Sequence, residues 1–534
     1  MTKTRHMRWL VILLMTAACT SGGEGETTTS GDQQTSTTGG DGGDTTTSSA
    51  DGDGGVLEEL IIVQGSEPAS MAPDVDAITT SRRFTWHIFD TCTRYAWNGD
   101  QLELVPWLCE SWEQVDPTTW RFTLRDGITF HNGEPLTAEA FEFTLETYKN
   151  NQAMLSTIFA DRTITAVDDL TFDVVTDVEN LQSLPASMSA MWVYPPQYYQ
   201  EVGMEEFGND PVGTGPYQFV SWEKGVEIRI EAVEDWWGPT QPQIQTIVHQ
   251  AVAEASSRVA LLETGDAHLV TDLPPELGDR VDASDGSHTV TIPSTRRFFL
   301  MFNTFLPPTD DPLVRQAVNY AIDRDALRNE LFSGFAGEFN GVFVPGEAGF
   351  DPDFEGYPHD VERARELLAE AGYGDGVEID LNYPIGNYTL DAATNEALVA
   401  MLAEAGITAN LNGGPISEIS QLYATQEAPG MSFFTFAPLW LDPSFVGLVH
   451  FTSSSLYRYN FTDQQDALLA EALAEQDADV REETYRDIQE SLIMDRAVWA
   501  PLFTQVDIYG VSDLLDWDHL ARPDQMLDLH LIGG

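Results

Sequence analysis

Leu104–Tyr148 reads LVPWLCESWEQVDPTTWRFTLRDGITFHNGEPLTAEAFEFTLETY. Trp120, Phe122 and Leu124 alternate with Arg121, Thr123 and Arg125, the period of a half-buried strand. Asp126-Gly127 supplies a turn in which glycine tolerates positive φ. Ile128 and Phe130 resume the apolar face, and Asn132-Gly133 gives a second turn. Thr137 stands where a helix N-cap is expected, its hydroxyl positioned to take up an orphan amide. Phe141, Leu145 and Tyr148 then share one helical face. The spacing predicts strand, turn, short strand, turn and capped helix.

The same stretch resembles the signature region of the family 5 solute-binding proteins of ABC importers, which include dipeptide-, oligopeptide- and nickel-binding proteins. The matching residues are Pro106, Leu108, Ser111, Trp112, Trp120, Phe122, Leu124, Arg125, Gly127, Phe130, His131, Gly133, Thr137 and Ala138, with Cys109 where the family usually has alanine. Two further segments carry the resemblance. Asp210–Tyr217 (DPVGTGPY) is similar to a family turn leading into a strand, and Asp311–Arg324 (DPLVRQAVNYAIDR) to a family helix. The Gly213-Thr214-Gly215 run lacks the Gly-Lys-Ser/Thr of a phosphate-binding loop and continues into Phe219 and Trp222, so a tight turn near the hinge is expected. His131 is expected to be structural.

Acidic residues outnumber basic ones 86 to 26 across 534 residues, for a net charge of −60, and the lysines are Lys3, Lys149 and Lys224 only. Such a surface repels nucleic acid and anionic headgroups, and it fits a solubility adaptation, as to a saline environment, better than a cation-collecting role. The length suits two or three domains.

Residues 1–19 read as a signal peptide: Lys3, Arg5 and Arg8, a short apolar core from Trp9 to Met15, then Thr16-Ala17-Ala18-Cys19. The end resembles a lipobox, with Thr16 where leucine is usual, so Cys19 is the expected lipidation site; cleavage near Ala18 without lipid is the alternative. Residues 20–55 hold only Gly, Ser, Thr, Asp, Glu, Gln and Ala50, a composition that cannot form a core. A tether of this length reaches about 35 Å. If Cys19 carries lipid, Cys92 and Cys109 remain, either as a disulfide stapling the strand pair Thr91–Trp97 and Gln101–Val105 or as two buried thiols.

Further along, Phe84–Asp90 and Glu254–Glu263 read as helices, Val226–Ala232 and Ile244–Val252 as strands, and Arg296–Asn303 (RRFFLMFN) as a strand entering a second lobe. Val361–Ala371 and Thr394–Ala405 are helices alternating with strands Glu378–Tyr383 and Ile407–Leu411. Two more helices, Asp466–Glu475 and Val480–Met494, precede a returning strand, Trp499–Phe503. The resemblance implies an α/β, periplasmic-binding-protein-like fold (type II, cluster C) with two lobes and a hinge. Lobe I comprises 56–88, 208–293 and 500–534, an inserted subdomain 89–207, and lobe II 294–499.

No Gly-x-Ser-x-Gly elbow, His-Glu-x-x-His or Walker loop is present, and the ten histidines show no metal-ligand spacing. A binding protein without cofactor or metal is therefore expected, acting as a monomer with a peptide-like or other small solute and with permease subunits; a secreted hydrolase or a sensory binding protein is the alternative. By the resemblance, Phe433–Phe445 (FFTFAPLWLDPSF) lines the cleft. Peptide-binding relatives carry an aspartate four residues before the proline, to pair with the ligand's ammonium group. Here Leu439 stands there, which puts a standard peptide in doubt, because an unpaired buried ammonium is costly. Phe436, Trp440 and Asp442 are the other candidates in this segment. Matched segments add Thr79 and Thr80 (from the loop Ala77–Thr80), Asn387, Tyr388, Phe503 and Gln505.

Overall fold

Two long strands, Ser287–Phe302 and Trp499–Ser512, run antiparallel through the middle of an eleven-stranded mixed sheet. The computed structural model describes residues 57–75, 79–99, 101–151, 154–515, 517 and 522–532. The expected signal peptide, Cys19, nearly all of the tether, Ala77 and Ile78 lie outside the described residues. Residues 55–534 form one compact unit.

Both central strands are rich in aromatic and β-branched residues, which suit a pleated surface covered on its faces. Beyond Ser287–Phe302 lie Met431–Phe436, Val377–Pro384 and Ile407–Gly414; beyond Trp499–Ser512 lie Leu269–Val270, Glu59–Gln64, Thr246–Ala251, Glu227–Ala232 and Tyr217–Glu223. Val377–Pro384 pairs in parallel with both Ile407–Gly414 and Met431–Phe436, and Glu59–Gln64 pairs in parallel with Thr246–Ala251. Helices Asp391–Glu404 and Ile416–Ala424 supply crossovers between the parallel strands.

Midway along the central pair the register shifts. Pro293 faces Val506 and Arg297 faces Thr504, so Ser294, Thr295 and Arg296 together oppose Gln505. The Thr295 amide turns away to the Pro523 carbonyl, 2.8 Å. Ahead of the shift, Ser287–Pro293 pairs with Val506–Ser512; after it, Arg297–Met301 pairs with Trp499–Thr504 and, on its other edge, with Met431–Phe436. Phe298, Leu300, Phe302, Ala500, Leu502 and Phe503 share a core with Val314, Leu367, Leu398 and Ile407. The step between 293 and 294 thus falls inside a continuous strand, and Ala500–Phe503 packs with the core of the 294–499 segment.

The opening stretch folds as strands Cys109–Asp116 and Thr119–Leu124 in a four-stranded antiparallel sheet, followed by helix Ala138–Asn150. Thr129 makes only an isolated bridge with Pro135, in place of the short strand expected there. Thr137 occupies the N-cap position but its side chain makes no cap bond. The helix expected at Phe84–Asp90 instead spans Thr79–Thr85. Past it the chain turns, and the His87 and Ile88 carbonyls receive the amides of Tyr217 (3.0 Å) and Gly215 (2.8 Å). A Cβ on Gly213 or Gly215 would run into the Ile88 or His87 carbonyl, so the glycines permit a close backbone approach. His131 fixes this loop: its amide donates to the Gly213 carbonyl (2.9 Å) and its Nε2 donates to the Gly215 carbonyl (3.0 Å). Burial lowers its pKa to about 4. Cys92 and Cys109 are joined as a disulfide, Cα–Cα 4.8 Å, next to strands Thr93–Trp97 and Leu102–Pro106.

Candidate functional site

Around the register shift, residues from distant segments converge. Arg296 donates to the Thr79 hydroxyl (2.7 Å) and to Gln525 Oε1 (3.2 Å). Gln525 and Gln505 both donate to Asp507 Oδ1, at 2.7 and 2.5 Å. Phe298, two residues on from Arg296, meets Tyr388 edge-on at 5.8 Å and stacks with Phe503 at 4.8 Å. Thr79, Tyr388, Phe503 and Gln505 therefore gather at one place. Thr79 and Thr80 open a helix and are half-buried. Phe503 is core, also against Phe332 at 4.6 Å. Asn387 is exposed, and its amide and that of Tyr388 donate to Asp391 Oδ2. A cavity of about 50 Å³ lies beside Gln505 and Asp507, walled by Phe298, Phe332 and Phe335, with room for a few waters only. A concavity of about 590 Å³ lies elsewhere, at the start of strands Val377–Pro384 and Ile407–Gly414, and touches none of these residues.

The 436–445 segment sits on the other side of Ser287–Phe302. Arg297 lies over the Phe436 ring at 5.1 Å and is held by Glu347 through two bonds of 2.7 and 2.9 Å. Phe436 stacks on Phe445 at 5.1 Å, and Trp440 tilts against Phe445 at 4.5 Å with its Nε1 on Ser444 Oγ. Leu439 joins the same buried cluster. Asp442 caps helix Pro443–Val446, accepting from the Ser444 amide at 2.9 Å, and burial raises its pKa. These four residues are engaged in packing and capping. The Tyr95 hydroxyl accepts from the Leu441 amide at 3.1 Å.

Sequence reasoning passed over the arginines. Arg82 and Arg83 sit on helix Thr79–Thr85, and Arg296 and Arg297 on the first central strand, each pair followed by phenylalanine. Arg83 binds Asp272 through both oxygens at 2.9 Å; burial works against its charge, but Asp272 outweighs it and its pKa rises. Arg522 binds Asp524 (2.6 Å) and Asp528 (3.2 Å), and Arg94 binds Asp528 (2.6 Å). The repeated Arg-Arg-Phe in a chain so poor in basic residues was the available signal. Among the described residues no group of three or more His, Cys, Asp or Glu could hold a metal ion.

The family profile described as "Bacterial extracellular solute-binding proteins, family 5 Middle" matches residues 103–456. The glutathione-binding protein GsiB of Pectobacterium atrosepticum is 29% identical over 430 residues, covering 76% of this chain and 81% of that protein. Among solved structures, the periplasmic binding protein DppA of Helicobacter pylori, in complex with the peptide STSA, aligns with TM-score 0.75 at 22% identity over 88% of this chain and 96% of that one. The ABC transporter substrate-binding protein CtaP of Listeria monocytogenes aligns with TM-score 0.79 at 20% identity, over 90% and 99%.

Proposed function

Since this chain belongs to the family 5 bacterial extracellular solute-binding proteins, and so is the solute-binding component of an ABC importer, we propose that it captures its solute at the register shift of the two central strands. Family members bind peptides or other small solutes and deliver them to ABC permeases. The observation that carries the location is the convergence of Thr79, Tyr388 and Gln505 with Arg296 where the strands pass from one half of the sheet to the other. Closure of the two halves buries the solute there, and the closed form docks on the permease as a monomer. The first half comprises 56–88, 208–293 and 500–534, with 89–207 inserted, and the second comprises 294–499, against whose core Ala500–Phe503 packs. Cys19 carries the lipid and residues 20–55 the tether. No helix among the described residues is long and apolar enough to cross a membrane.

The reading of binding without chemistry rests on the absence of any catalytic motif in the sequence. Glutathione and short peptides, the ligands named for GsiB and DppA, are the first solutes to try. Mass spectrometry of material released on denaturing the purified protein is expected to recover one small solute per chain. Conversion of that solute by the intact protein would show an enzyme instead.

A further inference from the structure

Arg82 is 6% exposed, and among the described residues no group forms a hydrogen bond or ion pair with its guanidinium. Arg94 offers the contrast: equally buried, it lies 4.0 Å over Trp86 and bonds Asp528 at 2.6 Å. Arg82 has only the Trp192 ring, 5.7 Å away. A cation–π contact at that distance recovers little of the cost of burying a charge. Its charged neighbours are Asp524, Arg522 and Arg296. Asp524 is already taken by Arg522 through two bonds. Arg296 bonds only the neutral Thr79 and Gln525. The nearby carboxylates, by contrast, are engaged: Asp272 by Arg83, Asp528 by Arg94 and Arg522, Glu347 by Arg297, and Asp507 through Oδ1 by two amides. In a chain of net charge −60, two guanidiniums that no carboxylate among the described residues binds lie where the solute-binding reading puts the ligand.

Resting on that reading, we propose that Arg82, with Arg296 beside it, receives a carboxylate of the transported solute. The planar guanidinium fork matches a carboxylate through two parallel hydrogen bonds. At the positions where relatives pair a ligand ammonium group, Leu439 is apolar and Asp442 is buried as a helix cap. The solute is therefore recognised through its acid group. A doubly charged phosphate fits less well, because Asp524 lies near Arg82 and Asp507 near Arg296.

The test uses the full mature protein, stripped by unfolding and refolding, then dialysed against a peptone extract as the probe. Wild type, Arg82→Gln and Arg82→Lys are compared, each checked for native circular dichroism. Wild type is expected to retain about one equivalent of a solute bearing a carboxylate. Arg82→Gln should bind that solute about 100-fold more weakly and Arg82→Lys about 10-fold. The amide of the recovered acid should lose about 100-fold on wild type and almost nothing on Arg82→Gln, a coupling that a purely structural arginine would not give. Retention of a solute lacking a carboxylate, or equal affinity of wild type and Arg82→Gln, overturns the carboxylate site and leaves solute capture intact. If wild type retains nothing, solute capture falls and the carboxylate site with it. Should Arg82→Gln not fold, the acid-against-amide comparison on wild type and Arg82→Lys decides: equal loss on both overturns the proposal.

Discussion

His249 lies in the interior with neither ring nitrogen bonded, 4.5 Å from the Phe84 ring and 6.4 Å from His87. Burial, with Arg83 adding to it, lowers its pKa to about 3; burial lowers His530, like His131, to about 4. A depressed folded-state pKa gives stability that is complete above the unfolded value near 6.5 and is lost as pH falls towards the folded one. The urea midpoint is therefore expected to fall steeply between pH 6.5 and 3. Each such histidine adds one proton taken up on unfolding, about 1.4 kcal/mol per pH unit. His249→Phe should remove one proton from that slope and cost little at pH 7, because the ring is replaced and two orphan nitrogens are removed. An unchanged slope would show that His249 is already solvated. Arg82 runs the other way at neutral pH. Burial lowers its pKa to about 10, a loss of about 3 kcal/mol in the protonated state. Arg82→Met should therefore raise the urea-derived stability of solute-free protein by roughly 1–3 kcal/mol, trading binding for stability. The repeated Arg-Arg-Phe marks these arginines in the sequence, but not their meeting. Arg82 meets Arg296 only through the fold, and no local period encodes a contact between residues so far apart in the chain. The 433–445 segment, legible by resemblance, packs as core because its aromatics find Arg297, Phe445 and His450 before they find solvent.

At the scale of elements, local pattern served well where neighbours in the chain decide the outcome. The alternation of Trp120, Phe122 and Leu124 gave a strand with Phe122 and Leu124 buried, and Asp311 caps helix Pro312–Ala321 by accepting from the Leu313 amide. It failed at Phe84–Asp90, because the Gly213–Tyr217 loop claims two carbonyls that a continuing helix would have used. Capping shows the same division. Thr462 accepts from the Gln465 amide at 3.2 Å, so Thr462→Ala should cost about 1 kcal/mol. Thr137→Ala, with no such bond to lose, should stay within about 0.5 kcal/mol. Paired urea titrations measure both, and equal costs would contradict the assigned caps. Gly215→Ala is expected to destabilise by at least about 3 kcal/mol, since its Cβ meets the backbone of His87 and Ile88, which cannot rotate away as a side chain could.

For the molecule as a whole, several polar contacts among the described residues join the two halves proposed above. Tyr95 accepts from the Leu441 amide, the Gln182 amide donates to the Leu473 carbonyl at 3.3 Å, and Arg296 holds Thr79. Tyr95→Phe removes the first of these and leaves the Leu441 amide buried without a partner. It should shift solute-free protein towards the open form, seen as a larger radius of gyration in small-angle scattering, and weaken solute binding several-fold. An unchanged radius and affinity would mean that this contact does not gate closure.

At Ser294–Arg296 the two central strands already lack their regular pairing, and the Thr295 amide is satisfied by Pro523 instead of the neighbouring strand. A swing about this point in which Ala500–Phe503 stays with Arg297–Met301 would cut none of the rungs on either side. Deuterium uptake along Val290–Ile292 and Leu300–Phe302 should therefore be equally slow with and without solute, while the Leu441 and Gln182 amides change. The protein would open its jaws without its spine ever letting in water.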